Sequence, residues 1–249
     1  WNLQGGTVSG GSIDFAGGQT LVITASSGTL NNVTINGDLT LAANSARVLV
    51  TGSTTFQNAH LTGNSTAIGF GPGTTLAGNL LLEGANTGTR AVEMNGSPGT
   101  FTIGPSGSIR TLAGFAGSAQ VGPVFFFGGA MTLVNNGMIS AEASGRTLNV
   151  APANFTNNGT TRAIAGGILS LSPTAPYANG GVFDVDAATF NLGGTFDASS
   201  GIGSFSNNAG TVNITGTLNP GALTLNAATG SWNLQGGTVS GGSIDFAGG

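Results

Sequence analysis

Apolar and polar residues alternate along this chain in very short runs. Thr20–Ile23, Val33–Ile35, Leu39–Leu41, Arg47–Val50, Thr147–Val150, Ile168–Leu171 and Val212–Ile214 each carry a period-two pattern over three or four residues, closed by Gly, Asn or Ser. A period of two puts alternate side chains on opposite sides of an extended backbone, so these runs predict strands. No ten-residue window carries a 3.6-residue apolar stripe, because Gly or β-branched residues interrupt nearly all of them. The pattern predicts an all-β chain of many short strands.

The turns between the runs recur with a register of their own. Leu133-Val134-Asn135-Asn136-Gly137 matches Phe155-Thr156-Asn157-Asn158-Gly159 twenty-two residues later, and Tyr177-Ala178-Asn179-Gly180-Gly181 follows after another twenty-two. Phe205-Ser206-Asn207-Asn208-Ala209 comes after twenty-eight, as if one unit held a six-residue bulge, while Leu30-Asn31-Asn32 and Phe56-Gln57-Asn58 read as earlier copies. An apolar residue followed by Asn and then Asn or Gly suits a repeated corner. The apolar side chain points inward, and Asn and Gly accept the left-handed backbone of the bend. A β-sandwich spaces its turns by about 8–12 residues without such a register. The expected fold is therefore a parallel, right-handed β-helix, a solenoid of about ten or eleven rungs of about 22 residues, with corner asparagines bonded in ladders along its axis.

A second, longer period encloses the first. Residues 1–18 and 232–249 are the same eighteen letters, WNLQGGTVSGGSIDFAGG, so that Trp232 begins a second copy of the segment that Trp1 begins. The expected organisation is one continuous solenoid over 1–249: one long repeat, followed at 232–249 by the first rung of the next. At about 22 residues per rung and about 4.8 Å per rung, one long repeat would rise by about 50 Å. Trp1 and Trp232 are expected at equivalent places on a stack that continues in both directions, with no capping coil at either end. Residues 84–130 depart from the pattern. They hold Pro98, Pro105 and Pro123 and the triplet Phe125-Phe126-Phe127, and predict enlarged rungs or a protruding loop. A strand cannot turn three successive rings to one side, so the odd ring of Phe125, Phe126 and Phe127 either packs under the neighbouring loop or makes the triplet a candidate contact patch for a neighbouring fibre or a surface receptor.

Composition narrows the function. Gly accounts for 46 of 249 residues, and charged residues for only 6%. The basic residues are five Arg (47, 90, 110, 146 and 162), and the net charge is −4. That balance argues against nucleic-acid partners, which need clustered Lys and Arg. The longest apolar run, Val124–Phe127, is far short of a membrane span. Without cysteine there is no disulfide, thiolate or Cys-type zinc site. Without Lys there is no Lys–Asn isopeptide crosslink.

Few groups remain for chemistry. Asp184 and Asp186 lie two apart on a strand, the spacing of a general acid and base or, with Asp197, of part of a calcium site. An exposed acidic strand face explains them more simply. His60 stands alone, which excludes a multi-His metal site within the chain. Glu142 and Arg146 suggest a local surface ion pair. Gly5–Ser12 lacks the Lys of a phosphate loop, and the segment around Asp14 and its copy Asp245 lacks the repeat-toxin calcium pattern. No catalytic residue, cofactor or metal site is assigned.

At the asparagine corners, 29–45, 133–150 and 155–171 resemble the repeats of bacterial adhesins of the filamentous-haemagglutinin and autotransporter type. The resemblance covers about 29–83 and 131–249. It implies a secreted, elongated β-helix at the cell surface and transfers no binding or catalytic residue. The expected function is that of a structural fibre repeat whose partners are copies of itself.

Overall fold

The computed structural model describes residues 1–247. Every regular element among them is a strand, and the chain winds as a β-solenoid of about 11 turns. Each turn runs along three faces. The first face stacks ten strands: Asn2–Leu3, Leu21–Ile23, Leu39–Leu41, Asn58–Leu61, Asn79–Leu82, Ser108–Thr111, Met138–Ala141, Thr160–Ile164, Val182–Asp186 and Ser204–Asn208. The second runs without a break from Thr7–Ser9 to Trp232–Leu234 through eleven strands. The third is made of shorter sheets. Ser12–Asp14 pairs with Thr34–Asn36, four strands run from Thr75–Leu76 to Asn154–Asn157, and three run from Thr195–Asp197 to Thr238–Val239. Neighbours on these faces pair in parallel, because each coil returns to the same face in the same direction.

In-register stacking turns the sequence alternation into columns. Leu21, Leu39, Ala59, Leu80, Ile109, Ile139, Thr161, Phe183 and Phe205 form one inward column of the first face. Val48, Ile68, Val92, Val121, Val150, Leu171, Leu192 and Ile214 form its counterpart on the second. The core between the faces is one side chain deep, so aromatics from different faces meet at its centre. Phe183 packs against Phe190, Phe196 and Phe205 at 5.0, 5.9 and 6.1 Å, and Tyr177 stacks on Phe196 at 5.3 Å. The Tyr177 hydroxyl donates to the Gly193 carbonyl at 3.0 Å, and burial pushes its pKa well above the usual tyrosine value.

The corners are specialised. Where the first face turns into the second, a left-handed residue recurs: Ser27, Ser45, Ser65, Ala165, Ala187 and Ala209 all have positive φ. Where the third turns into the first, Gly137, Gly159 and Gly181 lie directly above one another. A Cβ on Gly159 or on Gly181 would stand 2.2 Å from the carbonyl oxygen of the glycine beneath.

Two expectations are corrected here. The interval of twenty-eight before Asn207 is not a bulge, since Phe183 pairs with Phe205 at the ordinary twenty-two. That Asn-Asn pair belongs to a different corner. Nor do the two tryptophans occupy equivalent places. Residues 2–3 pair with 22–23 on the first face, whereas 232–234 pair with 212–214 on the second. The long period spans ten coils and about one third of another.

Within 84–130, strands Thr89–Asn95, Gly99–Ile103, Ser108–Thr111 and Ser118–Val121 all lie within the stack. Their rungs are enlarged well beyond the ordinary twenty-two: Leu80 pairs with Ile109, and Ile109 with Ile139. The excess chain at 122–130 folds back as a flap, and Gly128–Gly129 pairs antiparallel to Met94–Asn95.

Candidate functional site

The outward column of the first face collects much of the charge. In register it reads Thr40, His60, Leu81, Arg110, Ser140, Arg162, Asp184 and Ser206, with Asp38, Glu83, Glu142 and Asp186 beside it. His60 sits between two carboxylates, its Nδ1 2.6 Å from Glu83 Oε1 and its Nε2 3.3 Å from Asp38 Oδ2. Partial burial alone would lower its pKa, but the hydrogen bonds and charges of Glu83 and Asp38 outweigh this and hold it above the ordinary imidazole value. Arg110 grips Glu142 with two bonds of 2.7 and 2.8 Å, and Arg162 reaches the same carboxylate at 3.5 Å. Burial raises the Glu142 pKa less than the bonds from Arg110 and Ser140 and the two guanidinium charges lower it, so it stays ionised below the usual carboxylate range. Glu142 thus pairs across the rungs with Arg110 and Arg162 and not with Arg146. In a solenoid the nearest side chains are a whole coil apart in sequence.

Asp184 and Asp186 lie on this face as an outward pair. Asp184 accepts the Ser206 hydroxyl, and Asp186 accepts from Asn208 at 2.7 Å. Asp197 ends a strand of the third face, so the structure does not gather the three acids into one site. Among the described residues, no three His, Asp or Glu side chains are grouped to hold a metal ion. A surface depression of about 440 Å³ is lined by Gly52, Ser53, Thr54, Thr55, Gly73, Thr75 and Ala77, none of them ionisable or aromatic. On the first face His60, Arg110 and Arg162 pair with acids of neighbouring coils, while Asp184 and Asp186 bond only the neutral Ser206 and Asn208.

The flap on the second face is fastened through a buried acid. Glu93 is fully buried and accepts the backbone N–H groups of Phe125, Phe126, Phe127 and Gly128 at 2.7–3.4 Å. The flap needs room, and the outward residues below it are small: Ala67, Gly69 and Ala91. A Cβ on Gly69 would come within 2.7 Å of the Phe127 ring. Phe126 lies under the Arg47 guanidinium at 4.7 Å and edge-on to Phe125 at 4.4 Å. Phe125 remains 43% exposed. Neither composition nor motif spacing singles out Glu93; its one signal in the sequence is the alternation of small residues with an acid in Thr66–Phe70 and Thr89–Met94.

Arg90 is equally unmarked. It is the largest fully buried side chain, and its guanidinium fills a first-to-second corner, donating to the carbonyls of Leu61, Thr62, Glu83 and Gly88 above the Phe115 ring. Burial lowers its pKa from the usual arginine value.

The corner asparagines divide among three corners. Asn135, Asn157 and Asn179 point inward at the third-to-first corner and form a buried ladder, with Asn135 Nδ2 donating to Asn157 Oδ1 and Asn157 Nδ2 to Asn179 Oδ1, both at 2.7 Å. Asn136 and Asn158 run parallel to it at the surface, joined at 3.0 Å. Asn31 and Asn32 belong to the second-to-third corner, where Asn31 links Ser9 to Thr51. Asn207 and Asn208 end a strand of the first face, and Asn207 receives the Gly210 N–H at 2.9 Å. Of these nine asparagines only Asn32 takes the left-handed backbone, with φ 55°. The others contribute side-chain amides, which stacked strands place about 4.8 Å apart, within bonding reach.

The elements together define a β-solenoid. In comparisons with protein-family models, curated proteins and solved structures, the chain matches none.

Proposed function

We propose that this chain is the structural repeat of an extracellular or cell-surface fibre, a spacer with no chemistry of its own, whose partners are further copies of itself. The observation that carries the reading is the duplicated segment: 1–14 and 232–246 both form three-strand rungs stacked on the rest of the solenoid. A repeat whose first rung recurs intact from Trp232 onward can be extended without a change of fold. The paired charges of the first face and the amide ladders suit a shaft held together coil to coil. The likeness of the asparagine corners to adhesin repeats supports secretion to a bacterial surface.

A second reading, a shaft that also binds a receptor or a neighbouring fibre, draws on one observation. Phe125 is exposed beside Phe126 on a flap anchored from beneath by Glu93.

Immunogold labelling of thin sections of source cells with antibody against residues 1–249 tests the main reading. Label along filaments outside the envelope is expected. Label confined to the cell interior overturns it.

A further inference from the structure

The duplicated rung appears twice in one structure, in two different settings. At 232–246 it rests on the coil below: Trp232 pairs with Val212, Thr238 with Thr217 and Ser243 with Ala222. At 1–14 it carries the coil above: Asn2 pairs with Val22, Thr7 with Thr29 and Ser12 with Thr34. Together the two settings display the whole joint between one long repeat and the next. Leu3 is 4% exposed because the following coil covers it at Gly28, where even a Cβ would lie 2.3 Å from Leu3 Cγ. Its copy Leu234 is 60% exposed and, with Trp232, Val239, Ile244 and Phe246, lines an open apolar end. The occupant that fits this end is the stretch matching residues 19–37 in a following copy of the same sequence, since that stretch already covers the identical residues at 1–15.

The two settings differ in one respect. Residues 2–3 lie on the first face and their copies on the second. Residues 7–9 lie on the second and their copies on the third. Residues 12–14 lie on the third, and their copies pair with Ala222–Leu225, the strand that follows the third face. The first two strands have each advanced by one face, and the third has left the third face for a separate two-stranded sheet that follows it.

We infer that successive long repeats join with an offset of one face, each set a third of a coil further round the axis than the last. The inference rests on reading the chain as a tandem repeat. The charged column of the first face and the flap of the second then fall on each face in turn, and the original setting returns after three long repeats. At about 4.8 Å per coil those three repeats rise by about 150 Å. A fibre built this way offers the flap along a spiral path and not along one side, so its contacts with neighbours can form in every direction around the axis.

The chain lacks cysteine, which permits a direct test on residues 1–249. Asn233 lies beside Asn213 on the second face, donating to it at 3.1 Å. Had the copy kept the face of Asn2, it would instead lie above Ser206. The pair N213C and N233C is expected to oxidise to a disulfide, since neighbouring strands hold Cα atoms within the required range of about 4.4–6.8 Å. The pair S206C and N233C is expected to keep both thiols free. The reverse pattern overturns the inference. If strain prevents both bridges, spin labels at the same sites decide it: position 233 must be nearer 213 than 206, and the opposite order overturns it. Failure of the fibre reading in cells would leave this result unchanged.

Discussion

At the scale of single residues, stability depends on whether an amide faces the core or the solvent, although the sequence motif is the same. Asn157 bonds Asn135 below and Asn179 above in a dry corner and also accepts the Thr161 hydroxyl, so Asn157→Ala removes several buried hydrogen bonds at once and should cost about 2–3 kcal/mol. Asn158→Ala, one residue along and exposed, should cost less than about 0.5 kcal/mol. Urea denaturation of the two variants measures the difference, and equal losses would contradict the buried ladder. His60 adds a dependence on pH. Its raised pKa means that the folded state favours the imidazolium. That contribution is complete below the unfolded value of about 6.5 and is lost as pH rises through the folded value. Parent and His60→Gln should therefore differ most in melting temperature near pH 5–6 and converge on the alkaline side. A gap that widens with rising pH would have the wrong sign.

At the scale of the element, the strands were legible and their lateral partners only in part. Two-residue alternation marks strands because each has one face in a narrow core and one in solvent. The interval of twenty-two was legible from 133 to 181 because three successive corners there share one motif. It failed at Asn207, since Asn-Asn also suits the turn from the first face to the second. The local pairing of Glu142 with Arg146 failed because the partner, Arg110, lies a whole enlarged rung away in sequence. Glu93 was hidden for a related reason: its partners are backbone amides of the flap, and a backbone leaves no trace in composition. Glu93→Gln should weaken those bonds and release the flap while leaving the coils stacked. Hydrogen exchange at Phe126, Phe127 and Gly128 should accelerate with little change in melting temperature, and unchanged protection would contradict the anchoring role. The glycine column sets a stricter limit. Gly159→Ala places a methyl group against the Gly137 carbonyl, and the coils must part to admit it. A loss of about 2–4 kcal/mol is expected, in the range of other disruptive core substitutions, and a neutral result in thermal melts would show that the corner is looser than described.

At the scale of the molecule, one deep and wide core is replaced by a core one side chain thick that runs the length of the stack. Each coil is stabilised chiefly by its two neighbours, so stability accumulates along the axis and added coils lengthen the body without widening it. The same geometry explains why the long period does not bring the duplicated segment back to its own face. Rungs differ widely in length, from the short coil between Leu21 and Leu39 to the long one between Ile109 and Ile139, so a long period need not contain a whole number of coils. The sequence displays the period, and only the fold displays the remainder.

The most direct measurement is the length of rods built from one, two and three long repeats, taken from electron micrographs or small-angle scattering. Each added repeat should lengthen the particle by about 50 Å at constant width, as ten and a third coils of about 4.8 Å require. Particles that widen as repeats are added, or that gain far less than this per repeat, would contradict a continuous solenoid shaft.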